Sequence, residues 1–402
     1  MADTPLPRNV RALGAVSFLT DVSSEMIAPL LPMFVTGVLG AGATMLGAIE
    51  GIADAIAAFL KLAAGWWSDR GRRRKPLVVL GYSIASIARP AMAIAGSAMH
   101  VLVIRAIDRV GKGIRSSPRD ALIAEATPPA DRGRAFGFHR AADTAGAVLG
   151  PLLAWALLEQ ADVPLRSVFA WAAVPAVLSV IVLIVWVRET TPSSPVGAAA
   201  AAPAPSAAPV HSASPPAPLG APFWRYIGVL TVFTLGASTD AFILLRATDI
   251  GVPVALIPAL WAVHNLVRAL AGTAGGHLSD HIGRRLPIIS GWALYAAVYA
   301  GFALASEAWH IWVLMVLYSG YYALTEGAEK ALVADLVPQG RLGAAYGWFN
   351  FATGIAVLPA SLVFGLIWDR AGAPVAFGVG AAFAAVASLG LIALVPNAAY
   401  KR

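Results

Sequence analysis

The chain has 402 residues, of which 58% are hydrophobic and 13% charged, with a mean hydropathy of +0.72 and a net charge of +7. Because soluble domains carry about a quarter charged residues, 29 basic and 22 acidic side chains are too few for a water-soluble globule of this size. Cysteine is absent, which excludes disulfides and thiolate chemistry, and the positive charge is expected in cytoplasmic loops rather than against nucleic acid.

Apolar segments of about 20 residues, the length that crosses a hydrocarbon core of ~30 Å, recur along the whole chain. The first contains Asp21 and Glu25 and lacks the form of a cleavable signal peptide. The twelve predicted spans are 11–35, 44–68, 76–97, 100–124, 134–160, 165–187, 223–246, 253–279, 287–305, 309–335, 342–368 and 373–396.

Basic residues concentrate at the N-terminus and after every second span, as in the run at 70–75 and the pair Arg284 and Arg285. Lysine and arginine hold loops on the cytoplasmic side during insertion. The pattern predicts a multi-pass protein of the plasma (inner) membrane with both termini in the cytoplasm.

Residues 191–222 contain no Asp, Glu, Lys or Arg and consist mainly of Ala, Pro, Ser and Gly. Such a segment cannot bury a core and is typical of a flexible linker. We expect it in the cytoplasm, where it divides the chain into two six-helix bundles, 1–190 and 223–402.

The two halves resemble each other in sequence. The stretch 65–70 after span two recurs at 276–281 after span eight, and Ala-Leu-Ile-Ala-Glu at 121–125 recurs as Ala-Leu-Val-Ala-Asp at 331–335. Parallel repeats of six spans predict an all-α polytopic transporter fold with two pseudo-symmetric bundles and a substrate site between them near the membrane midplane.

The repeated loop carries a family resemblance. Gly276-x-x-x-Asp280-x-x-Gly283-Arg284-Arg285 resembles the loop signature of the major facilitator superfamily, and the first-half copy differs in having Arg72 where that signature usually has Gly. The resemblance implies a major facilitator fold in which these loops hold the cytoplasmic ends of the halves together. The cytoplasmic gate residues it implies are Gly65, Asp69, Arg70, Arg73, Gly276, Asp280, Gly283 and Arg284.

Ionisable side chains inside the spans are informative because each costs ~2.5–3.5 kcal/mol or more when it faces lipid. Span four carries five basic and two acidic groups within an arc of roughly 140° of one helix, a face that must point into the protein. These groups are Arg105, Asp108, Arg109, Lys112, Arg115, Arg119 and Asp120.

Buried acids beside these bases are candidates for carrying a proton. The proton-coupling candidates are Asp21, Glu25, Glu50, Asp54 and Asp143. The candidates for the cavity and substrate site are Arg89, Arg105, Asp108, Arg109, Lys112, Arg119, His139, Arg140, Asp240, His264, Arg268 and Glu326. Glu326 and Lys330, four residues apart, are expected to pair with each other.

Two further segments resemble the drug:proton antiporter branch of the superfamily. Glu25-Met26-Ile27-Ala28-Pro29 is similar to the acid-Met-Ile-x-Pro segment of its first span, and Arg105 stands where its span-four arginine is expected. Gly146, Gly150 and Pro151 resemble its antiporter motif, with Ala154 in place of the last glycine.

The favoured hypothesis is a proton-coupled secondary transporter that moves a small organic solute, most simply an antiporter for efflux. A symporter importing an anionic metabolite, or a non-transporting membrane receptor, are the alternatives. An enzyme is not expected, since no Gly-rich loop ends in Gly-Lys-Ser/Thr. We expect neither a bound metal nor a cofactor. The expected partners are solute, protons and the lipid bilayer but no nucleic acid, and the expected state is a monomer.

Overall fold

The computed structural model describes residues 6–70, 74–128, 131–189, 219–338 and 341–396, without the side chains at positions 62, 65–70, 273–280 and 343. Across these residues the chain forms helices and turns, and no strand occurs in them. The first-half helices are α1 (Arg8–Val38), α2 (Ala43–Arg70), α3 (Lys75–Ile94), α4 (Ala98–Glu125), α5 (Arg132–Glu159) and α6 (Leu165–Trp186).

The second half repeats this organisation. Its helices are α7 (Ala221–Asp249), α8 (Ile257–Ile282), α9 (Arg285–Leu304), α10 (Ala308–Asp335), α11 (Leu342–Ala371) and α12 (Ala373–Leu394). In the described part of the chain, ten helices are long and apolar enough to cross a membrane, and α4 and α10, with 28 residues each, have sufficient length. The all-α, twelve-helix membrane fold predicted from the sequence is confirmed.

The same helix pairs recur in both halves. In the first half α1 packs on α5 and α6, and α4 packs on α2 and α3, while in the second α7 packs on α11 and α12, and α10 packs on α8 and α9. Between the halves, α2 lies along α11 and α5 lies along α8. The repeated pairing is the structural counterpart of the sequence repeat, and the interface between the halves runs through the centre of the bundle.

Several helices are interrupted. Beyond Ile27, α1 continues as a 3₁₀ turn at Ala28–Leu30 and a π-helical turn at Phe34–Val38. Pro29 lies in this segment, and because proline has no backbone N–H it cannot donate a helical hydrogen bond there. Helix α7 stops at Gly236 and resumes at Ala241. The α7 break contains no proline, so the apolar pattern of the sequence did not indicate it.

Glycines and one acid bring α2 and α11 into contact on the face opposite the chain termini. A β-carbon at Gly47 would overlap the Ser361 carbonyl, so the helix backbones touch there. The Asp369 carboxylate, near the end of α11, accepts hydrogen bonds from the amides of Ala43 and Thr44, each 2.8 Å long, and from the Thr44 hydroxyl at 2.6 Å. An acid of one half therefore caps the first turn of a helix in the other.

Most of the predicted linker lies outside the described residues, and the domain boundaries at 190 and 223 stay a prediction. Among the predicted gate residues, Gly65, Asp69, Arg70, Arg73, Gly276 and Asp280 are also outside the described side chains. Gly283 follows α8 with φ of 85°, a left-handed conformation that favours glycine. The Arg284 Nε lies 3.8 Å from the Asp335 carboxylate at the end of α10.

Candidate transport cavity

A cavity of about 390 Å³ lies between the two halves. Helices α1, α2 and α4 form its first-half wall, and α7 to α11 form the second-half wall. The charged residues that line it are Glu25, Glu50, Asp54, Arg105, Arg109, Asp240 and Glu329. The aromatic residues that line it are Phe233, Trp261, Tyr295, Tyr318, Tyr321 and Tyr322.

Ion pairs dominate the first-half wall. The Arg105 guanidinium makes two parallel hydrogen bonds to Glu50, with Nε at 3.0 Å and Nη2 at 2.6 Å from the two carboxylate oxygens. Arg109 lies 3.4 Å from Asp54. A two-point guanidinium–carboxylate contact fixes both side chains, so Arg105 and Glu50 join α4 to α2 in one geometry.

A second row of charge lies behind this wall. Asp108 accepts a hydrogen bond of 3.0 Å from Arg89, whose Nη1 also donates to the Thr20 carbonyl, and it lies 3.9 Å from Arg105 and 4.0 Å from Arg109. The carboxylates of Glu50, Asp54 and Asp108 thus match three guanidiniums in number. The guanidiniums are those of Arg89, Arg105 and Arg109. The cluster is therefore balanced in charge, and the two arginines of α4 that line the cavity are both held in ion pairs with acids of α2.

Glu25 is bound differently. Its carboxylate accepts a hydrogen bond of 2.7 Å from the Trp261 indole, which belongs to α8 in the other half. In the described part of the chain no cation lies within 4.0 Å of it. A β-carbon at Gly150 of α5 would lie 3.0 Å from that of Glu25, and one at Gly146 would lie 3.0 Å from that of Asp21, so these glycines let α1 approach α5.

The second-half wall holds its two acids with aromatic donors. Asp240 lies at the α7 break and accepts hydrogen bonds from the Tyr318 hydroxyl at 2.6 Å and the Tyr322 hydroxyl at 3.3 Å. Glu329 accepts one of 2.9 Å from the Trp292 indole. Over the described residues, neither acid has a cation within ion-pair distance. Discontinuous helices of this kind line substrate sites in transporters.

His264 supports the aromatic wall from behind. It is fully buried, its Nδ1 lies 2.9 Å from the Ser319 hydroxyl, and its ring stacks on Trp261 at 4.9 Å and on Tyr318 at 5.5 Å. The His264 ring therefore lies between Trp261, which binds Glu25, and Tyr318, which binds Asp240.

One ion cluster links the halves outside the cavity lining. Glu326 of α10 binds Arg140 of α5 at 2.7 Å and Arg268 of α8 at 2.9 Å, and the Arg268 guanidinium lies 4.0 Å from the Tyr322 ring centre. The expected pairing of Glu326 with Lys330 was wrong, because two guanidiniums from neighbouring helices occupy the carboxylate and the Lys330 side chain is exposed.

The remaining candidates lie away from the cavity lining. His139 Nδ1 lies 3.5 Å from Asp143 on the same helix, and Arg119 binds Asp120 at 2.9 Å. Lys112 is exposed. Asp21 lies at the contact of α1 with Gly146. Within the described residues no group of His, Asp and Glu has the arrangement of a metal site.

Sequence reasoning did not select Glu329 or the tyrosines as site residues. On α10, Tyr318, Tyr322, Thr325 and Glu329 follow at intervals of three or four residues, so they share one face. That polar stripe on a span is the signal that could have identified the second-half wall.

Three comparisons place the chain among known proteins. The model of the Major Facilitator Superfamily matches residues 13–361. An uncharacterized MFS-type transporter, MJ1317 of Methanocaldococcus jannaschii, is 35% identical over 372 residues, which cover 91% of this chain and 90% of that protein. Multidrug resistance protein MdtH of Yersinia enterocolitica is 28% identical over 159 residues, covering 38% of this chain and 39% of that protein.

Among solved structures, a POT family transporter in complex with a thioalcohol-conjugated peptide superposes with a TM-score of 0.79 at 12% identity, covering 98% of this chain and 97% of that one. This likeness shows the fold alone. The family match and the full-length relative show more: the chain is a multi-pass membrane protein that belongs to the major facilitator superfamily, a family of secondary transporters and not of enzymes.

Proposed function

We propose that the protein is a proton-coupled antiporter that exchanges protons for a small organic solute through the central cavity. The bundles 1–190 and 223–402 alternate access to that cavity, joined by the linker 191–222. The protein acts as a monomer in the plasma membrane, with both termini in the cytoplasm. The observation that carries the proposal is the environment of Glu25.

Glu25 combines three properties that a coupling acid requires. It lines the cavity, its only hydrogen-bond donor among the described residues is the neutral Trp261 indole, and that donor belongs to the opposite half. Hydrogen bonds to an ionised acceptor are roughly twice as strong as those between neutral groups. Protonation of Glu25 therefore weakens a contact between the halves, which links proton binding to their relative movement.

The state of the three first-half acids of the ion-paired cluster beside the cavity supports this choice. Glu50, Asp54 and Asp108 are each within 4.0 Å of a guanidinium, so a proton on any of them would have to break an ion pair. Glu25 can gain or lose a proton without that cost. The same pairing leaves Arg105 and Arg109 little capacity to bind an anionic metabolite, which supports antiport over anion symport.

Alternating access also requires cross-half contacts that form in one state and break in the other. Three cross-half contacts support such a cycle: Asp369 with the start of α2, Glu25 with Trp261, and Arg140 with Glu326. The first lies on the face opposite the termini and the last on the terminal side. Opening either face requires that one of these outer contacts be released.

The proposal is tested in pyranine-loaded proteoliposomes, in which solutes of different charge classes are added and proton movement is followed. Wild type is expected to move protons in response to at least one solute, and Glu25→Gln to lose that response while inserting normally. Glu159→Gln, at the exposed end of α5, is the matched control. A Glu25→Gln protein with the wild-type ratio of protons to solute would contradict the assignment.

A further inference from the structure

We infer that the solute is an organic cation with an aromatic body, and that Asp240 and Glu329 of the second-half wall are its charge contacts. This inference rests on the transport role proposed for the cavity. It adds the chemical class of the solute and the wall that selects it.

The charge of the cavity is the first argument. Five carboxylates and two guanidiniums line it, and both guanidiniums are paired with lining acids, Arg105 with Glu50 and Arg109 with Asp54. Glu25, Asp240 and Glu329 remain without a cation in the described structure. An anion entering the cavity would meet like charge on several sides, whereas a cation would meet these three carboxylates, none of which is held in an ion pair in the part of the chain that the structure describes.

The aromatic side chains are the second argument. Tyr318 and Tyr322 orient Asp240, while the Trp292 ring that binds Glu329 stacks on Phe233, a cavity residue, at 4.6 Å. A cation is stabilised over an aromatic face by ~0.5–2 kcal/mol. One cation–π contact is already present at this wall, where the Arg268 guanidinium lies 4.0 Å from the centre of the Tyr322 ring.

Tyr295 provides an independent indication of a ligand. It lines the cavity and is 1% exposed, yet its hydroxyl makes no hydrogen bond of 3.5 Å or less among the described residues. A buried hydroxyl without a partner costs ~1–3 kcal/mol, which a polar group of a bound ligand would recover. Within the described structure, the wall thus offers two carboxylates outside any ion pair, several ring faces and one hydroxyl without a close partner.

The nearest cations of the second half form no ion pair with the two acids of this wall among the described residues. Arg268 is bound to Glu326 and does not line the cavity, and Lys330, next to Glu329, is exposed. Tyr322, which binds Asp240, and Glu329 are two turns apart on α10, or ~10 Å along the helix axis. A volume of about 390 Å³ is within the range of ~300–1,000 Å³ typical of small-molecule sites. A solute of two linked rings with one positive end fits this arrangement.

The test uses three probes of the same biphenyl shape and different charge, binding to the purified full-length protein at alkaline pH. They are 1-methyl-4-phenylpyridinium (cationic), 4-phenylpyridine (neutral at that pH) and biphenyl-4-carboxylate (anionic). The cation is expected to bind at least about tenfold more tightly than the neutral probe, a difference of ~1.4 kcal/mol, and the anion more weakly than either.

Single variants test whether Asp240 and Glu329 cause the preference for the cationic probe. Asp240→Asn keeps an oxygen for the tyrosine hydroxyls and is expected to weaken cation binding about tenfold while changing neutral binding less than about twofold. Glu329→Gln, which keeps the indole contact, provides the second test if Asp240→Asn fails to fold. Asp249→Asn, on the same helix but paired with Arg246 away from the cavity, is the control and is expected to bind as wild type.

Equal or tighter binding of the carboxylate, or equal losses in Asp240→Asn and Asp249→Asn, would overturn the inference. Its failure is separable from that of antiport. Charge-selective cation binding without proton movement would refute antiport alone, whereas proton movement driven only by an anionic or neutral solute would refute the cation assignment alone.

Discussion

The two walls of the cavity accommodate buried carboxylates in different ways. On the first-half wall, Glu50 and Asp54 are each bound to an arginine of α4, in a cluster whose charges balance. On the second-half wall, Asp240 and Glu329 are held only by tyrosine hydroxyls and an indole among the described residues. Neutral donors fix a carboxyl group without pairing it with a cation, so one wall provides an ion-paired frame and the other leaves the two acids available for the cationic solute that we infer.

The largest expected effect comes from breaking the first-half frame. Arg105→Ala leaves the buried Glu50 without its guanidinium, and losing one partner of a buried pair costs ~3–5 kcal/mol of the free energy of unfolding. Thermal unfolding of the purified protein measures this loss. The double variant Glu50→Gln with Arg105→Met removes both charges and is expected to recover most of it. If Arg105→Ala alone unfolds like wild type, the frame is not structural.

Removing a neutral donor from the second-half wall should cost less. Tyr318→Phe deletes the hydrogen bond of 2.6 Å to Asp240, and a hydrogen bond to a charged group contributes ~1.5–3 kcal/mol. Tyr322→Phe, whose hydroxyl is 3.3 Å away, is expected to have a smaller effect. Thermal unfolding ranks the two. A larger loss in Tyr322→Phe would contradict the assignment of Tyr318 as the main donor.

A smaller change is expected at the contact between α11 and α2. Asp369→Asn weakens the cap on the first turn of α2, and loss of such a cap costs ~0.5–2 kcal/mol. Because the contact joins the halves, its loss is expected to make the face opposite the chain termini open more often. The chain has no cysteine, so a single cysteine in place of the buried Ala43, at the start of α2, can report it by its labelling rate. Unchanged labelling would show that the carboxylate does not hold this face closed.

The smallest effect is expected for Arg140→Gln. Its side chain is 63% exposed, and exposed ion pairs contribute ~0–1 kcal/mol. Arg268 still binds Glu326 in the variant. We expect a slight change in transport rate that disappears at high salt, when the wild-type pair is screened. A large loss independent of salt would assign Arg140 a role beyond this contact.

The sequence predicted the fold better than the site. Span boundaries were close, as for 373–396 against the helix Ala373–Leu394, because apolar length and charged loops are local properties. The α7 break at Ser238 was missed, since no proline marks it. First-half acids were noticed because ionisable groups in spans are rare, whereas tyrosines on α10 are common packing residues. Which arginine pairs with Glu326 depends on distances between helices, which periodicity does not contain.

In the proposed transport cycle, Glu25 exchanges its proton for solute. The most direct test of this exchange is proton release by the purified protein in weakly buffered detergent solution, on addition of the solute that moves protons in proteoliposomes. Wild type is expected to release protons as the solute binds, and Glu25→Gln to bind the solute without releasing them. Equal release by wild type and Glu25→Gln would contradict the account and move the coupling proton to another acid of the cavity.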